Sequence, residues 1–365
     1  MTADAGLASW LQLTLTPGIG AAALRGMLRE FGLPQAVLEK RRSELARFID
    51  GTALESLDSP PVRAAVQRAL AWAAEPGRAI VTLADETYPR ALLEIADPPA
   101  LLYAVGRVEL LQRPAIAVVG SRNATAQGES NAESFARVLG DAGLTIVSGL
   151  ALGIDAAAHR GGLAGAASTV AVLGTGIDVI YPRRNAALAE QIAARGLIIS
   201  EFPLGTAPAA HNFPRRNRLI SGLARGCLVV EAAVASGSLI TARSAAEQGR
   251  EVFAIPGSIH SPFSKGCHAL IKSGAKLVES AEDVLAELNG FKPSGYAATT
   301  TARVDHEENV LLAYMGHDPV DVDFLCTRAG LSAEQVSSEL LRLELDGRIT
   351  ALPGGLYQRL EKGGR

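Results

Sequence analysis

The sequence predicts an α/β protein built on a doubly wound, mostly parallel sheet, with a helical module before it and a small three-helix unit after it. Three observations carry this expectation. Between residues 79 and 288, short apolar runs alternate with helical segments. Those runs are apolar throughout, as strands covered on both faces are. The composition also changes at each end, from an Ala-, Leu- and Arg-rich start to an acidic tail.

Residues 1–75 read as short helices. Within them Leu15-Thr16-Pro17-Gly18-Ile19-Gly20 leads into an apolar helix. Such a turn is similar to the hairpin of helix-hairpin-helix modules, whose backbone N–H groups hold a phosphate. It also fits an ordinary helix–helix turn with glycines at positive φ. Residues 80–83 and 101–105 then look like extra strands leading into the sheet. The run at 116–119 ends in Gly120-Ser121-Arg122, with a helix from about Gln127. The run at 144–147 ends in Ser148-Gly149-Leu150-Ala151-Leu152-Gly153-Ile154-Asp155, and that at 169–173 in Gly174-Thr175-Gly176. Runs at 197–200, 228–230, 252–255 and 276–278 follow, and a helix at 281–288 closes the series. This is the pattern of an extended Rossmann-type domain.

Residues 291–303 have linker composition. Beyond them helices are expected at 307–314, 321–328 and 333–346, the last with Ser332 as N-cap. Residues 349–358 alternate about Pro353-Gly354-Gly355 as a small hairpin does. Three helices and a two-stranded wing make a winged helix. The expected division is 1–75 for a helical, SAM/helix-hairpin-helix-like module, 76–290 for the Rossmann-type domain, 291–304 for a linker and 305–365 for the winged helix.

Charge is distributed unevenly. The formal net charge is −3 over 365 residues, which argues against a protein that coats itself in nucleic acid. Yet residues 113–276 hold 16 Lys and Arg against 10 Asp and Glu, while residues 305–346 hold 10 Asp and Glu against Arg328 and Arg342. A basic centre precedes an acidic tail. Cys227, Cys267 and Cys326 show no C-x-x-C spacing, as expected of a reducing compartment without a metal knuckle. The start lacks a basic region before an apolar stretch, and no apolar run approaches the roughly 18 residues of a membrane span. A soluble, cytoplasmic protein is expected.

The densest chemistry lies in His211-Asn212-Phe213-Pro214-Arg215-Arg216-Asn217-Arg218. Arginine forks suit phosphate oxygens and a neighbouring ring offers a face to a base. The ligand class is therefore polyphosphate or nucleic acid. Gly120-Ser121-Arg122-Asn123-Ala124-Thr125 forms a second candidate, an anion cradle made of helix-start N–H groups, the hydroxyls of Ser121 and Thr125 and the Arg122 charge. It is not G-x-G-x-x-G, and a capped turn with a solvated arginine is the plainer alternative. Tyr181-Pro182-Arg183-Arg184 puts two more arginines on the same rim, and Lys265 adds a cation after the last long strand. The hydroxyls of Ser236, Ser238 and Thr241 either cap a helix or touch phosphate. Asp155 is read as the cap of the helix it opens, His159 as structural and Cys267 as inert.

The sequence contains no P-loop, carboxylate pair, H-E-x-x-H or nucleophile elbow. No catalytic residue, metal or cofactor is expected. Glu231 is the one crevice carboxylate to test as an acid or base; orienting arginines or capping a turn are its alternatives.

These pieces, together with Ser236-Gly237-Ser238-Leu239-Ile240-Thr241-Ala242 and Gly266-Cys267-His268-Ala269-Leu270-Ile271, resemble the DNA-processing protein A (DprA/Smf) family over roughly residues 88–288. One departure is His268, where the family pattern has Asn. The resemblance implies a non-enzymatic recombination mediator. Such a protein binds incoming single-stranded DNA, displaces or bypasses single-strand-binding protein and loads RecA recombinase during natural transformation. It further implies a homodimer formed through the Rossmann domain. By motif, Arg122 carries the phosphate-binding role of the Gly-Ser-Arg turn. Phe213, Arg215, Asn217 and Arg218 fall in the DNA-binding loop, and Lys265 lies near the same pocket.

The leading expectation is a groove in which Arg122, Arg215, Arg216, Arg218 and Lys265 neutralise successive phosphates, with Phe213 either stacking on a base or packing under its loop. The competing expectation is a related Rossmann-type hydrolase that cleaves N-glycosidic bonds of nucleotides. Its catalytic Glu element has no counterpart in residues 233–242.

Overall fold

The structure, a computed structural model, describes residues 3–288, 310–315 and 319–360. The chain opens with α1 (Ala3–Leu15), α2 (Ala21–Phe31), α3 (Pro34–Leu38), α4 (Arg42–Leu45), α5 (Gly51–Ser56) and α6 (Pro60–Ala73). Helix α2 buries Leu24 and Met27, three residues apart and so on one face. Asp50 caps α5 by accepting from the N–H of Ala53 at 2.8 Å.

The central domain runs β1 (Arg78–Thr82), α7 (Arg90–Leu93), β2 (Leu101–Gly106), β3 (Ala115–Val119), α8 (Ala126–Asp141), β4 (Thr145–Ser148), α9 (Ile154–Ala164) and β5 (Thr169–Val172). It continues through α10 (Ala186–Arg195), β6 (Leu197–Ser200), α11 (Asn212–Leu223), β7 (Gly226–Val229), α12 (Ser238–Glu247), β8 (Glu251–Ala254), α13 (Lys265–Lys272), β9 (Lys276–Leu277) and α14 (Ala281–Glu287). The described strands form a nine-stranded sheet in the order β1-β2-β6-β5-β4-β3-β7-β8-β9. From β6 to β9 every pairing is parallel; β1 and β2 join antiparallel at the β6 edge. The two early apolar runs are thus the antiparallel extension of a parallel sheet.

Strand β3 shows why the runs are apolar throughout. Ala115, Ala117 and Val119 face one layer, with Leu219, Ile220 and Leu239, while Ile116 and Val118 face the other, with Ala132, Leu139 and Val284. Alternate residues point to opposite faces, and both faces are covered. Helices α11 and α12 supply the first layer and α8, α9 and α14 the second. A third cluster joins Val62, Val66 and Ala69 of α6 to Ala189 and Ile192 of α10. Truncating a fully buried side chain such as Leu219 would cost about 2–5 kcal/mol.

Strand β3 lies between β4 and β7, with Ala117 opposite Val147 on one side and Cys227 on the other. The chain leaves β3 towards β4, β5 and β6, then returns to the far side of β3 to lay down β7. The sheet therefore changes winding direction between β3 and β7. A crevice outside the carboxyl ends of the strands at such a point is where open α/β sheets take ligands.

The acidic tail folds as α15 (Val310–Met315), β10 (Val320–Asp321), α16 (Val322–Ala329), α17 (Ala333–Leu345), β11 (Ile349–Leu352) and β12 (Leu356–Arg359). Ser332 and Gln335 form a capping box at the start of α17. Strands β11 and β12 turn about Pro353-Gly354-Gly355, and β10 adds a third strand against β12. Leu325, Val336, Leu340 and Leu343 make the core of this unit. Residues 307–309, where its first helix was expected to begin, and the expected linker lie outside the described residues. Among the described residues, no helix is long and apolar enough to cross a membrane.

Candidate nucleic-acid interface

Residues 213–218, expected as a loop, form the first turns of α11. Pro214 is tolerated there because the first helical N–H groups need no intrahelical acceptor. Helical geometry then decides where each arginine goes. Arg216 stands three, four and seven residues before Leu219, Ile220 and Leu223, on the buried stripe of the helix.

Arg216 is accordingly 4% exposed. Its Nη1 donates to the carbonyl of Gly149 at 2.7 Å and to that of Val172, and its Nε to Oδ1 of Asn217 at 3.2 Å. The approach is so close that a Cβ at residue 149 would meet the guanidinium at 2.5 Å, so only glycine fits. The expectation that Arg216 neutralises a phosphate is corrected: it holds together the carboxyl ends of β4 and β5. Asn217 is buried as well, its Nδ2 directed at the carbonyl of Gly237 at 3.4 Å.

Asp155 accepts from the N–H groups of Gly149 at 3.1 Å and Ala151 at 3.4 Å. It braces the loop before α9 instead of capping the helix. Burial raises its pKa, opposed first by the Arg216 charge. His159 Nε2 accepts from the N–H of Leu150 at 3.2 Å, and its Nδ1 lies 2.8 Å from Oγ1 of Thr169. Since Thr169 donates to the carbonyl of Ile146, the ring is neutral with its proton on Nδ1. Burial, aided by Arg216, lowers its pKa to about 3. His159 is structural, as expected.

Arg218 and Arg215 meet a carboxylate that the sequence reading overlooked. Glu201, just after β6, has a buried side chain that pairs with Arg218 and, at 3.3 Å, with Arg215. Arg218 also donates to the carbonyl of Asp97 at 2.6 Å. Burial raises the pKa of Glu201, and Arg218 and then Arg215 oppose the rise. The charge of Arg218 is spent inside the protein. Arg215 stays half exposed above the Phe202 ring, 5.4 Å from its centroid. Glu201 is thus a second crevice carboxylate beside Glu231.

The Gly120-Ser121-Arg122 turn follows β3 directly. Ser121 is buried, and its Oγ accepts from the N–H of Asn123 at 3.1 Å. Oγ1 of Thr125 accepts from the N–H of Gly128 at 2.9 Å and donates to Glu231 at 2.6 Å. The N–H of Thr125 also donates to Glu231, at 3.0 Å. The expectation that both hydroxyls face a ligand is corrected: they close the turn, and the Glu231 carboxylate occupies the start of α8. Burial raises the pKa of Glu231, against the bonds from Thr125. Glu231 caps a turn, and among the described residues it makes no ion pair with an arginine.

Arg122 is the charged group that projects outward from this turn, with Asn123 exposed beside it. Its guanidinium lies 5.5 Å from the centroid of the Phe213 ring, within the range of a cation–π contact. Phe213 is half buried and backs onto Gly174, where a Cβ would come within 2.8 Å of the ring. Its other neighbour is Tyr181, centroid to centroid 5.8 Å. Lys265 begins α13, where the N–H of Gly266 donates to the carbonyl of Ala232 just beyond β7. Nε2 of His268 lies 3.0 Å from the carbonyl of Gly257, a contact in which a histidine N–H replaces an amide donor. Arg122, Arg183, Arg184 and Lys265 are exposed and make no ion pair with a described residue. Among the described residues, no cluster of His, Cys, Asp and Glu is placed to hold a metal.

The family model for DNA recombination-mediator protein A matches residues 79–289, and that for the DprA winged helix domain matches residues 296–355. Protein Smf of Escherichia coli is 44% identical over 308 residues, covering 82% of this chain and 82% of that protein. DNA processing protein DprA of Streptococcus pneumoniae is 50% identical over 206 residues, 56% of this chain and 73% of that one. The X-ray structure of DNA processing protein A from Streptococcus pneumoniae superimposes with a TM-score of 0.64 at 39% identity, over 78% of this chain and 96% of that chain. A structure of DNA processing protein A from Helicobacter pylori, described for its single-stranded DNA binding mode, gives 0.52 at 31% identity, over 57% and 95%.

Proposed function

We propose a function for this chain from one premise: it belongs to the DNA recombination-mediator protein A family. It is a single-stranded-DNA-binding recombination mediator of natural transformation and not an enzyme. The observation that carries the site is the set of unpaired cations, Arg122, Arg183, Arg184 and Lys265, beside the Phe213 and Tyr181 rings. Charges without internal partners are the ones free to displace counterions from phosphates. Arg122 and Lys265 flank the winding change between β3 and β7, and the strand runs over them. Phe213 holds the Arg122 guanidinium in place, and Arg215 adds a partly offset charge at the edge. Ser121, Thr125, Arg216, Asn217 and Arg218 act beneath the surface, fixing the turn and the helix that present these groups.

The finer reading is that the bound strand is handed to RecA recombinase as single-strand-binding protein is displaced, by a homodimer that joins two such tracks. Family membership supports this. The four-part division of the chain at residues 75, 290 and 304 goes with it, leaving the winged helix as a separate unit. Its α17 exposes Leu341 and Leu345 and carries Glu334, Glu339 and Glu344 against Arg342. Such a face suits a protein partner better than a phosphate backbone.

The test is a gel shift of the full chain with single- and double-stranded oligonucleotides across a salt series. Single strands should bind more tightly. The plot of log affinity against log salt should fall with a slope of about −0.7 per phosphate contacted, near −3 for four contacts. Equal affinity for duplex, or a slope near zero, would remove the groove.

A further inference from the structure

The family motifs place no role on Tyr181, which lies before the short helical turn Arg183–Asn185. The residue is 45% exposed, the most exposed of the described Phe, Tyr and Trp residues at this end of the sheet. The neighbouring Phe213 has a guanidinium 5.5 Å from its ring centre and glycine backbone against its edge. Tyr181 packs at 36° to Phe213, so the two rings form a bent surface of which Tyr181 is the open half.

The segment that carries Tyr181 is tied down on both sides. Upstream, Oγ1 of Thr175 donates to the carbonyl of Val179 at 2.6 Å, and Asp178 accepts from the N–H of Gly205 at 2.8 Å. Downstream, Nδ2 of the buried Asn185 donates to the carbonyls of Leu150 and Ala151 at 2.9 and 3.0 Å. These carbonyls belong to the loop that Arg216 and Asp155 brace. Ring and groove wall therefore share one support. Arg183 and Arg184 follow in sequence, exposed and without an ion pair to a described residue.

We propose that Tyr181 is a base-stacking ring of the single-strand track, and that Arg183 and Arg184 carry the phosphates past it. This rests on the single-strand reading given above. A fixed ring with one open face gains contact without losing much side-chain freedom. It accepts any base, because every base has a π face. Unpaired guanidinium groups next to it supply the charge that stacking lacks.

The experiment measures binding of a fluorescein-labelled oligothymidylate to the full chain by anisotropy, across salt, for wild type, Tyr181→Ala, Tyr181→Phe and Arg183→Ala/Arg184→Ala. Tyr181→Ala should lose about 5- to 100-fold in affinity with the salt slope unchanged, since stacking releases no counterions. Tyr181→Phe keeps the ring and should bind like wild type. The double arginine variant should flatten the slope by about 1.4. A merely structural tyrosine would lower the thermal midpoint as well, so midpoints are recorded alongside.

If Tyr181→Ala does not fold, Tyr181→Trp replaces it: its added fluorescence should be quenched by the oligonucleotide beyond any change in the wild-type protein, whose tryptophans are Trp10 and Trp72. The proposal is overturned if wild type binds and folded Tyr181→Ala binds equally well, if Tyr181→Phe is as weak as Tyr181→Ala, or if Tyr181→Trp shows no added quenching. A wild-type protein that fails to bind single strands overturns the functional reading as well.

Discussion

The start of α11 and the turn after β3 face the same crevice, and they use arginine in opposite ways. The helix holds three arginines in four residues, yet Arg216 is buried against backbone carbonyls and Arg218 is paired with Glu201 and Asp97. The turn holds only Arg122, and that one is exposed over a ring. Arginine density marks where the wall is braced; an exposed arginine without an ion pair to a described residue is the one left available to the proposed ligand. A buried guanidinium already bonded to fixed carbonyls, or paired with a buried carboxylate, would have to give up those partners to reach a phosphate.

The sharpest contrast should come from Arg216→Ala. It strips two buried carbonyls of a donor and leaves Asp155 without the charge that offsets its burial. The loss should be roughly 3 kcal/mol or more, read as a lower urea midpoint at unchanged m. A stability within about 0.5 kcal/mol of wild type would return Arg216 to the list of ligand contacts. Arg122→Ala should do the reverse. Its stability should stay within about 0.5 kcal/mol of wild type, while single-strand affinity falls and the salt slope flattens by about 0.7. A wild-type slope in that variant would take the turn out of the groove. The smallest effect is expected from Arg215→Ala, where a half-exposed pair worth about 0–1 kcal/mol is lost. Affinity and urea midpoint should both barely move, and a loss as large as that of Arg122→Ala would erase the distinction between helix and turn.

The strands were legible because each is an unbroken apolar run ended by glycine, proline or a polar turn, as at 116–119 and 252–255. The winged helix was legible from its cap and hairpin. The burial of Arg216 was present in the sequence too, in its spacing from Leu219, Ile220 and Leu223, but arginine type outweighed position in the reading. What could not be read were the partners. Glu201 follows one strand and Arg218 lies a turn into the next helix; only the fold brings them together. The same holds for Tyr181 against Phe213 and for Glu231 against Thr125. A hydroxyl beside a helix start reads as a phosphate ligand until a carboxylate is seen to have taken the place.

The seat taken by Glu231 bears on what can compete for this protein. The start of a helix is where a solitary phosphate is held best, and here a side-chain carboxylate already fills it. At the start of α8 a free nucleotide finds that seat occupied, whereas a strand would touch several surface cations at once and gain from each successive contact. Mononucleotides should therefore compete poorly for the proposed track, and a long chain of phosphates should be favoured by its length.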